Sequence, residues 1–244
     1  MIRHLQASEP AGVFLTGDVS NGSHVEPNVS KLARNLKCPI YFVLGNHDYH
    51  FRTIDSVHDD MRRLMRSHSN LNWMTEKGVV SLNEEVAIIG TEGWYDARRG
   101  DHTWLKWTFD RMFTYDFRDL SCHKDRVVLY RKMANESAEH VAVNLEKAFE
   151  THTTVYVLTH FPPWFEATYD KSSWFVKYHL PYNTNTAMGI AIENVMKKNP
   201  DKNVIVLAGH THANCWVRVS ENIECRVNSA EYYGGPNSEE HIVI

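Results

Sequence analysis

Seven residues of this chain could act together on a ligand, and they fall in four short motifs. Gly17-Asp18, Gly45-Asn46-His47-Asp48, Thr159-His160 and Gly209-His210-Thr211-His212 each set a carboxylate, an amide or an imidazole where a loop is expected. Such a mixture of oxygen and imidazole donors suits divalent first-row metal ions, with Mn, Fe and Zn all acceptable and supply deciding among them. Glycine beside the candidate ligands fits that chemistry, because a residue without a Cβ lets the backbone turn sharply and approach a shared point. Taken singly the motifs are weak: a Gly-Asp is commonly a turn, and a lone histidine more often hydrogen-bonds within a core than holds an ion.

The hydrophobic pattern makes them a set. Apolar runs at 13–15, 40–44, 155–158 and 204–207 have strand length, and each runs directly into one of the motifs. After the third run Pro162-Pro163 cannot continue a sheet ladder, so His160 stands at a strand end. Between the runs, Val25, Val29, Leu32 and Leu36, then Ile54, Val57, Met61, Leu64 and Met65, then Met188, Ile192, Val195 and Met196 recur at helical spacing. Asn199-Pro200 stops the last of these helices. Further strands are predicted at 72–75 and 79–82 around a Lys77-Gly78 turn, and at 86–90, 215–219 and 223–227. Alternating strands and helices predict an α/β domain whose site gathers at strand ends.

Residues 94–149 fit this alternation less well. They are rich in charge and aromatics, Trp94, Tyr95, Trp104, Trp107, Phe109, Phe113 and Tyr115 among them, and end in a helix with Val141, Leu145, Ala148 and Phe149 on one side. The stretch reads as a cap or insertion within a single domain spanning 1–244, and the tail after Tyr233 reads as loop.

The motif order Gly-Asp, Gly-Asn-His-Asp, His, Gly-His-Thr-His, each after a predicted strand, resembles the calcineurin-like metallophosphoesterase superfamily over residues 13–214. The resemblance implies a two-sheet sandwich flanked by helices, a four-layer α/β/β/α fold, here with a helical cap or insertion. It implies a metal-dependent hydrolase of phosphate mono- or diesters. Asp18 would bridge two divalent ions, Asn46, His160 and His210 would complete the shell of the second, and His212 would bind the first. His47 would donate a proton to the leaving oxygen, with Asp48 fixing its tautomer and raising its basicity. Two ions about 4 Å apart bring a bridging water to hydroxide near neutral pH, so no protein nucleophile is needed.

One family motif is missing. An Asp-x-His on an earlier strand normally gives the first ion two ligands, yet sixteen residues precede Gly17 and none form it; His4 is the one imidazole among them. Residues 2–9 read as the end of a helix, so the expectation is a chain that starts after that first strand. The first ion would keep only Asp18 and His212, leaving the second site tight and the first weak or empty.

Composition narrows the partners. With 26 Lys plus Arg against 30 Asp plus Glu, no global field attracts a polyanion or an acidic membrane, and Arg98-Arg99 and Lys197-Lys198 are short basic pairs. A nuclease is therefore the weaker enzyme reading, and a small phosphate ester, nucleotides included, the preferred substrate. The Ser/Thr protein phosphatases carry Gly-Asn-His-Glu instead, which disfavours that branch. A non-catalytic scaffold of the same fold, working through protein contacts, is the other alternative; His47 beside the metal set argues against it. Trp164, Phe165, Tyr169, Trp174, Tyr178 and Tyr182 could line a pocket wall beyond His160. Cys38, Cys122, Cys215 and Cys225 form no CxxC pair, so neither a zinc knuckle nor a disulfide framework is expected. The first ten residues lack the apolar core of a secretory signal and no run is long enough to span a bilayer, which predicts a soluble, cytoplasmic protein. Counting bound Mn, Fe or Zn per chain tests the metal expectation: one tightly held ion is expected, and two would contradict it.

Overall fold

Alternation along the strands decides which layer each sheet face meets. In the computed structural model, which describes residues 2–100, 102, 108–168, 180–228 and 242, two sheets carry the described fold. The smaller contains β1 (Val13–Thr16), β2 (Ile40–Val43) and β3 (Leu71–Trp73), all parallel, in that order. The larger contains β4 (Val80–Ser81), β5 (Val86–Thr91), β6 (Thr154–Thr159), β7 (Asn203–Ala208), β8 (Cys215–Ser220) and β9 (Ile223–Val227). Its order is β4-β5-β6-β7-β9-β8, parallel from β5 to β9 with an antiparallel strand at each edge.

Successive side chains of a strand point to opposite faces, and here the two sets enter different cores. Ile40 and Phe42 of β2 join Val25, Val29 and Leu32 of α2 (Val25–Asn35) and Val57, Met61 and Leu64 of α3 (Ile54–Ser67). Val43 faces the other way, into a core between the sheets with Ile88, Tyr156, Leu158 and Leu207. Val155 and Val157 of β6, with Val204 and Val206 of β7, meet Val141 and Leu145 of α7 (His123–Phe149) and Ile192 and Val195 of α8 (Thr186–Lys198). These three cores stack into the expected helix, sheet, sheet, helix sandwich.

Local chemistry starts the helices where the pattern puts them. The Thr53 side chain accepts the Ser56 N–H at the head of α3, and Asn185 accepts the Met188 N–H at 3.0 Å at the head of α8. The helix read at 2–9 is α1 (Ile2–Ser8), whose Ile2 and Leu5 lean on the core under α2. One strand is shorter than expected. β3 ends at Trp73, and α4 (Met74–Lys77) occupies the positions read as its continuation. Trp73 is fully buried with its indole N–H on the Glu92 carboxylate at 3.0 Å, and Met74 turns into the core between the sheets, so the chain bends there before Gly78 at φ 67°.

Within residues 94–149, two short helices, α5 (Phe109–Phe113) and α6 (Tyr115–Arg118), precede the long α7, which lies beside α8 on the larger sheet. Trp104, Trp107, Tyr169, Trp174, Tyr178 and most of the tail after Tyr233 lie outside the described residues. Among the described residues no helix is long and apolar enough to cross a membrane.

The α7 layer carries a pH-sensitive group. Burial pushes the His140 pKa below its ordinary 6.5, outweighing the pull of Glu92. The folded state therefore binds fewer protons than the unfolded state once the pH falls below 6.5. Its contribution to stability is whole above that value and is lost as the pH falls toward the depressed one. Urea unfolding between about pH 7 and pH 5 should show a shallower loss of stability in His140→Leu than in wild type; parallel pH profiles would exclude the effect.

Candidate metal centre

Parallel pairing carries the four predicted motifs to one edge of the sandwich. Thr16 pairs with Val43 at the ends of β1 and β2, and Leu158 pairs with Leu207 near the ends of β6 and β7, so the loops that follow leave in the same direction. Those loops touch through their glycines. A Cβ on Gly17, which sits at φ 93°, would lie 2.6 Å from the Gly45 nitrogen and 2.7 Å from His160 Nδ1. A Cβ on Gly45 would overlap the Asp18 carboxylate and stand 2.6 Å from His160 Cε1. Three of the predicted site residues adopt the left-handed region, Asp18 at φ 52°, His210 at 61° and His212 at 51°. Each such residue costs about 1–3 kcal/mol, and this clustering is typical of binding sites.

Hydrogen bonds on the outer side of each ligand decide which atom faces inward. His160 Nδ1 donates to the Thr16 carbonyl at 2.7 Å, which turns Nε2 toward the centre. His210 Nε2 donates to the Tyr182 carbonyl at 3.2 Å, with Asn183 Oδ1 at 3.3 Å, and this leaves Nδ1 facing in. Asn46 Nδ2 donates to Asp110 Oδ1 at 2.8 Å, so the amide presents Oδ1. That oxygen lies 3.0 Å from His160 Nε2 and 3.1 Å from His210 Nδ1, while Asp18 Oδ1 lies 3.5 Å from His160 Nε2. Burial and the neighbouring His160 push the His210 pKa down to about 3, so that ring is neutral and its inward nitrogen is a lone pair.

In the neutral rings the inward nitrogens, His160 Nε2 and His210 Nδ1, thus carry lone pairs directed at the Asn46 amide oxygen. Atoms each about 2.0–2.2 Å from one ion stand roughly 3.0–3.5 Å apart, which is the spacing found here. Among the described residues no three His, Cys, Asp or Glu side chains could hold an ion by themselves; the amide oxygen of Asn46 is the atom that joins the others. Burial opposes ionisation of Asp18, but His160, His47 and His210 outweigh it and hold its pKa below the usual carboxylate value. The donor set fits a divalent cation.

Asp18, Asn46, His160 and His210 are therefore brought together as the sequence predicts. His47 is beside them: its backbone N–H donates to Asp18 Oδ1 at 3.0 Å, and its ring stacks on His50 with centroids 4.7 Å apart. Burial lowers its pKa, against the pull of Asp18. His212 stands two residues beyond His210 in the same loop and is half-buried. Asp48 differs from expectation. Both its oxygens face backbone, accepting from Ser20 N–H at 2.8 Å, Gly45 N–H at 2.9 Å and Val19 N–H at 3.3 Å. In that position Asp48 ties the loops of Gly17-Asp18 and Gly45-Asn46 together. Burial and the Asp18 charge raise its pKa, while the same N–H groups favour the carboxylate.

Sequence reasoning missed two residues. His50, a turn beyond His47, is buried with Nε2 on Asp110 Oδ1 at 3.1 Å. Asp110 is also buried; burial opposes its charge, yet the hydrogen bonds from His50 and Asn46 hold its pKa below the ordinary value. Its only signal in the sequence is a carboxylate set among the aromatic residues of α5.

Comparison with known proteins identifies the family. The calcineurin-like phosphoesterase family profile matches residues 1–214. The chain belongs to the calcineurin-like phosphoesterase family. No curated protein matches it. Among solved structures, a dimetal phosphatase from Danio rerio is similar, with a TM-score of 0.55 and 13% identity over 93% of this chain and 75% of that one. GAP50, the anchor in the inner membrane complex of Plasmodium, follows with a TM-score of 0.47 and 13% identity over 98% of this chain and 69% of that one. At these identities the likeness speaks for the fold of this calcineurin-like phosphoesterase alone.

The glycine contacts make a direct prediction. Gly45→Ala should weaken Mn(II) binding by more than about tenfold, because the new methyl group displaces Asp18 or His160. Isothermal titration reads the loss, and unchanged affinity would show that the loops are not in contact.

Proposed function

We propose that this protein is a metal-dependent hydrolase of small phosphate mono- or diesters, nucleotides among them. The observation that carries the reading is the meeting of His160 Nε2, His210 Nδ1 and Asp18 Oδ1 around Asn46 Oδ1, a donor set that a cation would stabilise with the rings neutral. Asn46, His160, His210 and Asp18 would hold the more tightly bound ion, and Asp18 with His212 a second, weaker one. Divalent Mn, Fe or Zn bound there would acidify water and offset charge on the phosphoryl oxygens.

The chain's own groups supply the rest. His47 holds a proton at the rim of the ion site for the departing oxygen, its ring plane set by the stack on His50. Asp48 keeps the loops of Asp18 and Asn46 in register through the backbone, a role in place of orienting His47. Phe113 packs on His50 and Phe51 on Phe113, and Phe51 and Phe109 are largely exposed. Such aromatic faces suit a planar leaving group, which favours nucleotides within the class.

Hydrolysis of chromogenic phosphomonoesters and phosphodiesters with added Mn(II) tests the reading. His47→Ala should lower kcat by about 10²–10⁴-fold while Mn(II) still binds. Equal background rates in wild type and variant would favour the scaffold.

A further inference from the structure

We infer that Asp110 is the positioning residue that makes Asn46 a metal ligand, by fixing which end of the amide faces the ion. The inference rests on the metal-binding reading above and deepens it. An asparagine amide has an acceptor at one end and a two-proton donor at the other, so the ion site and its empty alternative make opposite demands on Asn46. With Nδ2 turned inward, the amide could donate to the inward nitrogens of His160 and His210, which stand 3.0 and 3.1 Å away. Those bonds would satisfy both inward ring nitrogens and close the site to a cation.

Asp110 prevents that. Its Oδ1 lies 2.8 Å from the outer end of the amide. Turning the amide over would set Asn46 Oδ1 against a buried carboxylate oxygen at that distance, a repulsion in a place without water to screen it. The carboxylate is itself held in place. The same Oδ1 lies 3.1 Å from His50 Nε2, and Thr108 starts α5 by accepting the Arg111 N–H at 3.1 Å, which fixes the backbone around Asp110. Asp110 is 5% exposed and His50 4% exposed, so neither contact is diluted by solvent. Because His50 also stacks on His47, one carboxylate oxygen sets both the amide of a metal ligand and the support of the proposed proton donor. The element that carries it, α5, lies 64 positions beyond Asn46 in the chain.

Mn(II) binding to metal-free protein, followed by electron paramagnetic resonance and isothermal titration, tests this without any turnover. Asp110→Ala should weaken the tight site by about 10–100-fold. Asp110→Asn keeps an oxygen that can accept from Asn46 Nδ2, and should stay within about threefold of wild type. In an Asn46→Asp background the order should reverse: Asp110→Asn should then strengthen Mn(II) binding, because it removes a facing carboxylate and supplies a donor. Wild-type affinity in Asp110→Ala, or equal losses in Asp110→Ala and Asp110→Asn, would overturn the assignment. If Asp110→Ala does not fold, the reversal between the two Asp110→Asn backgrounds decides, and its absence counts against the proposal. Failure of wild type to bind Mn(II) at all would instead remove the metal-binding reading itself.

Discussion

Lone pairs repel, and a protein that aims several of them at one another in a buried place must supply something positive or hold them there by force. Around Asn46 Oδ1 this chain does the holding with groups behind each ligand: a carbonyl behind His160, another behind His210 and a carboxylate behind Asn46. Each outer hydrogen bond removes the option that would have relieved the conflict, because it uses the ring proton or the amide N–H that could have turned inward. On the reading proposed above, a preference for a cation is thus built into tautomers and an amide orientation.

The sandwich explains why those bonds persist. Thr16, whose carbonyl fixes His160, ends a strand paired residue by residue with β2, and His160 follows directly on a strand buried between two layers. Moving either would expose apolar side chains worth about 1.5–3 kcal/mol each. The left-handed conformations of Asp18, His210 and His212 draw on the same reserve, since a well-packed framework can maintain strained loops at its edge.

Carboxylates in this centre divide into two kinds. Asp18 faces the cluster of His160, His47 and His210, and charge on those rings holds its pKa low against burial. Asp48 and Asp110 face away, toward backbone N–H groups in one case and toward an amide and an imidazole in the other. Of the two, Asp110 keeps its pKa below the ordinary value, so its negative charge stands behind Asn46 and, on the reading proposed above, favours a cation in front of it.

Much of this was legible along the chain. Apolar runs and helical repeats are local, so the strands leading into Gly17, Gly45 and His160 and the helices with Val57 or Ile192 could be read directly, as could the oxygen and imidazole groups that follow those strands. The end of β3 at Trp73 could not, because an indole N–H that finds Glu92 across the fold leaves no mark in local hydropathy. Asp48 was paired with His47 by the family resemblance; in the folded chain its oxygens accept from Ser20 N–H and Gly45 N–H. Asp110 was invisible, one acid among many in an aromatic stretch. Sequence by itself determined the elements, the motifs and the kinds of ligand atom, since those follow from neighbours. Only tertiary structure decided which atom of each ligand faces inward, because that depends on partners such as Asp110 and Thr16 whose distance along the chain is 64 residues from Asn46 and 144 from His160.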